Sequence, residues 1–65
     1  MSNVETVYCF GYPLFDGCNF KGFRVFVPSE GNFIFPSEYS SIDMVRTIKE
    51  VCHIENHVEI KIAKN

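Results

Sequence analysis

Hydrophobic and polar residues alternate most clearly between Phe20 and Phe35, in the run FKGFRVFVPSEGNFIF. Phe23, Val25 and Val27 fall on one side of an extended chain there, and Phe20, Gly22, Arg24 and Phe26 on the other. Pro28-Ser29-Glu30-Gly31-Asn32 supplies turn chemistry, because proline presets φ and glycine tolerates the left-handed region. Phe33-Ile34-Phe35 then resumes the extended run, so the stretch predicts a β-hairpin whose second strand Pro36 closes.

Residues 4–12, VETVYCFGY, predict an earlier strand with Val4, Thr6, Tyr8, Phe10 and Tyr12 on one side. Glu5, Val7, Cys9 and Gly11 take the other side, and apolar groups on both sides suit an inner strand. Gly11 within this aromatic run marks a bulge or a close backbone approach. Pro13 to Asn19 predicts a loop, since Pro13 cannot donate to a ladder and Asp16-Gly17 is a strong turn pair. Leu14 and Phe15 would then either fold back over one end of the core or stand out as a contact point.

Beyond Pro36 the period changes to that of a helix. Ser40 is the best N-cap, with Asp43 three residues later as in a capping box, although Ser37 or Ser41 could serve. Met44, Val45, Ile48, Val51 and Cys52 mark the apolar face, with Ile42 at its border. Asp43, Arg46, Thr47 and Glu50 mark the wet face, with Arg46 and Glu50 spaced for an ion pair. The helix should end near His53, whose position suits the negative end of the dipole. After the turn at Glu55-Asn56, residues 57–63 alternate again, with Val58, Ile60 and Ile62 inward and His57, Glu59 and Lys61 in water.

The order β-β-β-α-β over residues 1–65 defines one small α+β domain, a mostly antiparallel sheet with one helix packed on one face. Ten aromatic residues, three Tyr and seven Phe, are more than one covered face can hide. The surplus from the first two strands should lie on a face with no second helix, where an apolar patch serves a homodimer, a partner protein, or both.

Composition narrows the partner. A formal charge of −2 disfavours duplex nucleic acid, whose binders display a basic stripe. Asp16, Glu30 and Glu38 fall in predicted loops and may share an edge that meets a basic partner surface. The start, MSNVETVYCF, lacks the basic and apolar regions of a signal peptide, and no run approaches the roughly 20 apolar residues of a membrane helix. Three cysteines without a secretory signal point to free thiols and a cytoplasmic setting. The initial Met1 and the closing amphipathic strand read as a complete small gene product.

Chemistry is sparse. Cys52, His53 and His57, with Cys9 or Cys18, have part of a zinc-site spacing, but no paired CxxC accompanies them and Cys52 belongs to the helix's apolar face. No metal or cofactor is therefore expected. Nucleophilic catalysis needs a thiol or hydroxyl held beside a His and a carboxylate, and Cys52 and His53 are helix neighbours that diverge by about 100°. The four glycines are scattered, so no phosphate cradle forms. A chain this short also does not readily enclose a small-molecule pocket. These residues read as a non-enzyme. Phe20, Lys21, Phe23 and Arg24 interleave rings with cations, the pattern that stacks single-stranded bases, and they form an alternative nucleic-acid site.

The step from Val7 to Tyr12, the hairpin region from Phe20, Tyr39 before the single helix, and the alternating strand Val58 to Ile62 together resemble the Dmd-type antitoxins of T-even-type phages. The resemblance implies occlusion rather than catalysis: a small phage protein seated in a bacterial RNase toxin and blocking access of RNA. The residues and the resemblance together lead to one expectation. The chain is a small non-catalytic inhibitor, encoded by a phage or mobile element. It would cover the nucleic-acid-binding or active-site surface of a host toxin or defence protein. Tyr8, Phe10, Tyr12, Leu14 and Phe15 are the expected contacts, with Asp16 and Glu30 steering.

Overall fold

A computed structural model describes residues 5–63; Val4, expected in the first strand, lies outside them. Among the described residues the chain forms β1 (Thr6–Asp16), β2 (Asn19–Val27), β3 (Gly31–Pro36), α1 (Ser41–Val51) and β4 (His57–Ile62). The strands make one sheet in the order β3-β2-β1-β4, so the β-β-β-α-β reading and the small α+β fold are correct. β1 runs antiparallel to β2 and β2 to β3, whereas β4 joins β1 in parallel. The helix thus carries the chain from one edge of the sheet to the other.

One face of the sheet is closed by α1. Met44 and Ile48, four residues apart on one helical stripe, are fully buried with Cys9 of β1, Val25 and Val27 of β2, Phe35 of β3 and Val58 of β4. The buried strand residues are those whose parity the alternating pattern assigns to the covered side. Val51 departs from the predicted apolar face and is exposed, as is Ile62 at the end of β4. A helix of eleven residues, about 16 Å, cannot follow β1 to its end, about 37 Å away.

The helix boundaries have local causes. The Ser40 hydroxyl accepts from the Asp43 backbone N–H at 3.2 Å, and the Asp43 carboxylate accepts from the Ser40 backbone N–H at 3.2 Å. The predicted capping box is therefore present in full. These hydrogen bonds, from the backbone and hydroxyl of Ser40 and aided by nearby Arg46, hold the Asp43 carboxyl below its ordinary range. Because that value is depressed, the cap's contribution is present above the ordinary Asp range and is lost as pH falls through the depressed value. At the far end His53 takes φ 55°, and the Ile54 N–H donates to the Lys49 carbonyl at 2.9 Å, a left-handed closing turn.

The predicted loop from Pro13 to Asn19 is instead mostly strand. β1 continues through Pro13, Leu14 and Phe15 to Asp16, leaving only Gly17 and Cys18 as the turn. Gly17 at φ 65°, followed by a residue without positive φ, has the pattern of a type II′ hairpin. Pro13 is tolerated for a reason of parity. The Ala63 N–H donates to the Gly11 carbonyl, so odd residues of β1 aim their backbone groups at β4 and even ones at β2. The missing Pro13 N–H would face the carbonyl of Ala63, one residue past the end of β4, so the proline removes no bond within β4 and instead stops the β1–β4 ladder there. The other turn is also shorter than predicted, since Gly31 and Asn32 already pair within β3.

β1 is paired by β4 only up to Gly11, and β2 by β3 only down to Gly22. The remaining ends form a two-stranded arm, which accounts for the elongated 49 × 21 × 19 Å outline. The register shifts between Leu14 and Phe15, where Lys21 has no partner opposite it. Gly22, at φ 138°, makes the bulge possible: a Cβ there would stand 2.0 Å from the Phe35 carbonyl oxygen. Gly11 makes the predicted close approach, but to the Ile62 side chain and without a bulge.

Two substitutions test this account. Met44→Ala should lower stability by about 2–5 kcal/mol in urea unfolding, the range for emptying a core site. Gly22→Ala should cost more than about 2 kcal/mol, because backbone rather than a side chain must move. A change below about 0.5 kcal/mol, typical of surface positions, would contradict the bulge.

Candidate functional site: the uncovered face of the sheet

On the face opposite α1, even residues of β1 meet their cross-strand partners. Phe10 lies between Phe26 of β2 and Lys61 of β4; Tyr12 pairs with Arg24, which pairs with Ile34 of β3; Tyr8 pairs with Glu59. Tyr8 is 47%, Phe10 43%, Tyr12 44%, Phe26 39% and Ile34 65% exposed, so no element among the described residues covers them. Arg24 sits over the Tyr12 ring at 5.8 Å and Lys61 over the Tyr8 ring at 5.5 Å. Cations placed over rings in this way contribute about 0.5–1 kcal/mol at exposed sites and restrain both side chains. The result is a strip of rings in the centre of the sheet, with Arg24 on one flank and Glu59 and Lys61 on the other.

The expected contact set is divided by the structure. Tyr8, Phe10 and Tyr12 share the uncovered face with half-buried Leu14, which continues the same parity. Phe15 does not join them. The bulge turns Phe20 toward Phe15, 5.8 Å away between ring centroids, and toward Phe23, 5.0 Å away, on the helix side of the arm. Asp16 and Glu30 cannot share an edge, because they flank opposite ends of β2, about 27–30 Å apart. The alternative nucleic-acid set is split too: Phe20 and Phe23 lie on the helix side, Arg24 on the uncovered face, and Lys21 is exposed in the bulge.

Phe26, Ile34, Glu59 and Lys61 belong to the uncovered face and were missing from the expected contacts. Their parity was visible, since Phe26 shares the side of Arg24 and Lys61 alternates with Ile60. What the pattern lacked was the register that sets Phe10 against Phe26 and Lys61 in one row.

A second feature lies on the covered side. A groove of 570 Å³ runs between α1 and β4, with Ile42 and Val45 on one wall and Val58 and Ile60 on the other. Arg46 and Lys49 line it from the helix and Glu59 from the strand. It is open rather than enclosed, although a space of that size was not expected from so short a chain. Among the described residues, no three His, Cys, Asp or Glu side chains gather as a metal site, and no helix is long and apolar enough to cross a membrane.

The three cysteines are free: Cys9 buried, Cys52 half-buried and Cys18 exposed in the hairpin turn. Burial, with a smaller effect of Cys52, pushes the Cys9 thiol up; burial, with a smaller effect of Glu30, pushes Cys52 up. Comparison with known protein families, characterised proteins and solved structures gave no match. The resemblance to the Dmd-type antitoxins therefore rests on the residues quoted for it.

Iodoacetamide at mildly alkaline pH should label Cys18 first and Cys9 only on unfolding, as read by peptide mass spectrometry. Raised thiol values also fix a sign. The stability they carry is present below the ordinary thiol range and lost as pH rises through the folded values, so the melting temperature should fall on the alkaline side.

Proposed function

We propose that this chain is a non-catalytic binding protein that uses the uncovered sheet face to occlude a surface on a partner protein. The observation that carries the reading is the exposure of Tyr8, Phe10, Tyr12 and Phe26 side by side on the two central strands. Rings held by a rigid sheet lose little conformational freedom on binding, which is why such residues dominate interface energetics. The target class is the one the sequence resemblance implies: a host toxin or defence protein whose nucleic-acid-binding or active-site surface is covered. Electrostatics modify the expectation. The face itself carries two cations, Arg24 and Lys61, against one acid, Glu59, while Asp16 and Glu30 stand at the two ends of the molecule. The centre of the partner's surface should then be apolar or acidic, with any basic groups at its margins.

A second reading has one specific observation in its favour. Aromatic rings flanked by cations on an open four-stranded sheet are also a platform on which single-stranded bases stack. In that reading Tyr8, Phe10, Tyr12, Phe26, Arg24 and Lys61 replace the split set around Phe20 and Lys21. The net charge of −2 weighs against it.

Affinity capture from host lysate, with and without nuclease, separates the two. Occlusion predicts one protein recovered at fixed ratio despite nuclease, with recovery reduced at least about tenfold by Phe10→Ala with Phe26→Ala. Both positions are exposed, so that variant should keep a wild-type circular dichroism spectrum. Recovery that disappears with nuclease and with Arg24→Ala would support the stacking reading, and equal capture by the folded double variant would contradict both.

A further inference from the structure

The free edge of β4 is complementary to itself. Because Ala63 donates to Gly11, odd residues of β4 aim their backbone N–H and C=O groups at β1. Val58, Ile60 and Ile62 therefore present theirs along the outer edge, where the sheet ends among the described residues. An antiparallel copy of the strand, centred with Ile60 opposite the partner's Ile60, places Val58 opposite the partner's Ile62. In that register all three outward residues exchange both backbone hydrogen bonds with their opposites. The same register sets Glu59 opposite the partner's Lys61, and by symmetry Lys61 opposite the partner's Glu59. Those positions form the closer, non-hydrogen-bonded kind of pair, in which opposite charges attract and like charges repel.

A shift of two residues in either direction loses this match, so the charges select one register. The groove supplies the remaining contact. Ile42 and Val45 of α1 stand beside Ile60 along this edge, leaving an apolar strip next to the free backbone groups. An exposed edge flanked by aliphatic groups is the kind of strand that pairs with another chain unless it is blunted. The alternating charges of HVEIKI blunt it against most partners, but not against itself.

We infer that the protein is a two-fold symmetric dimer joined through β4, with an eight-stranded sheet continuous across the two copies. Both helices lie on one side of that sheet and both aromatic faces on the other, unobstructed. The inference is independent of what the aromatic face binds. The dimer uses the edge, engages only Glu59 and Lys61 at the margin of the face, and leaves its rings free.

Sedimentation velocity and charge exchange test it. The wild-type chain should sediment at twice its 7.5 kDa mass. Glu59→Lys alone, or Lys61→Glu alone, sets like charges opposite each other twice and should weaken the dimer about tenfold or more. An equimolar mixture of the two variants restores both attractive pairs in a heterodimer, as does the doubly exchanged chain, so dimer should return in each. In the wild type, hydrogen exchange of the Val58, Ile60 and Ile62 amides should slow as protein concentration rises. A chain that stays monomeric up to about 1 mM would overturn the proposal and leave the edge to an extended segment of another protein. A dimer indifferent to both single exchanges, or one the mixture fails to restore, would overturn it as well.

Discussion

The contact of Met44 and Ile48 with Cys9, Val25, Val27 and Val58 is the interaction on which the other features depend. It ties the single helix to β1, β2 and β4 and decides which side of the sheet is dry. Every other assignment follows by parity. Once Cys9 and Val25 face the helix, Tyr8, Phe10, Arg24 and Phe26 must face away from it, because successive strand residues alternate. No second layer covers that side among the described residues, so the rings remain in water. The exposed aromatic face is thus a consequence of having one short helix for four strands.

Length explains the second asymmetry. The helix and the two edge strands stop well before β1 and β2 do, and the surplus becomes an arm ending at Gly17 and Cys18. At its base, the bulge at Lys21 and Gly22 moves Phe20 to the side of Phe15 and Phe23. The arm therefore keeps a small aromatic cluster of its own, away from the uncovered face. Positive backbone φ at Gly22 and the nearby Phe35 carbonyl leave no room for any other residue.

Much of the architecture was legible in the chain. Alternation from Phe20 to Phe35 identified the hairpin, and Ser40 with Asp43 identified the helix start. HVEIKI identified the last strand with its inward residues, apart from exposed Ile62. The failures have a common origin in information that local sequence does not hold. Pro13 read as a break because its freedom from the ladder depends on where β4 ends. Phe15 read as a loop contact because Pro13 to Asn19 read as a loop; once β1 continues to Asp16, its odd parity puts it on the helix side. Asp16 and Glu30 read as companions because both are turn acids, although nine residues of β2 separate those turns. For the site, Tyr8, Phe10 and Tyr12 were visible from parity, whereas Phe26 and Lys61 required the register.

The account centres on the uncovered face as the surface that meets a partner, and covalent footprinting of the rings examines it most directly. Hydroxyl-radical oxidation of the free protein should mark Tyr8, Phe10, Tyr12 and Phe26 as well as Phe15 and Phe20, since all are exposed. In the complex with a captured partner, the account predicts that the first four are protected while Phe15 and Phe20 stay reactive. Protection confined to Phe15 and Phe20, with the four face residues still oxidised, would contradict it and move the binding surface to the arm.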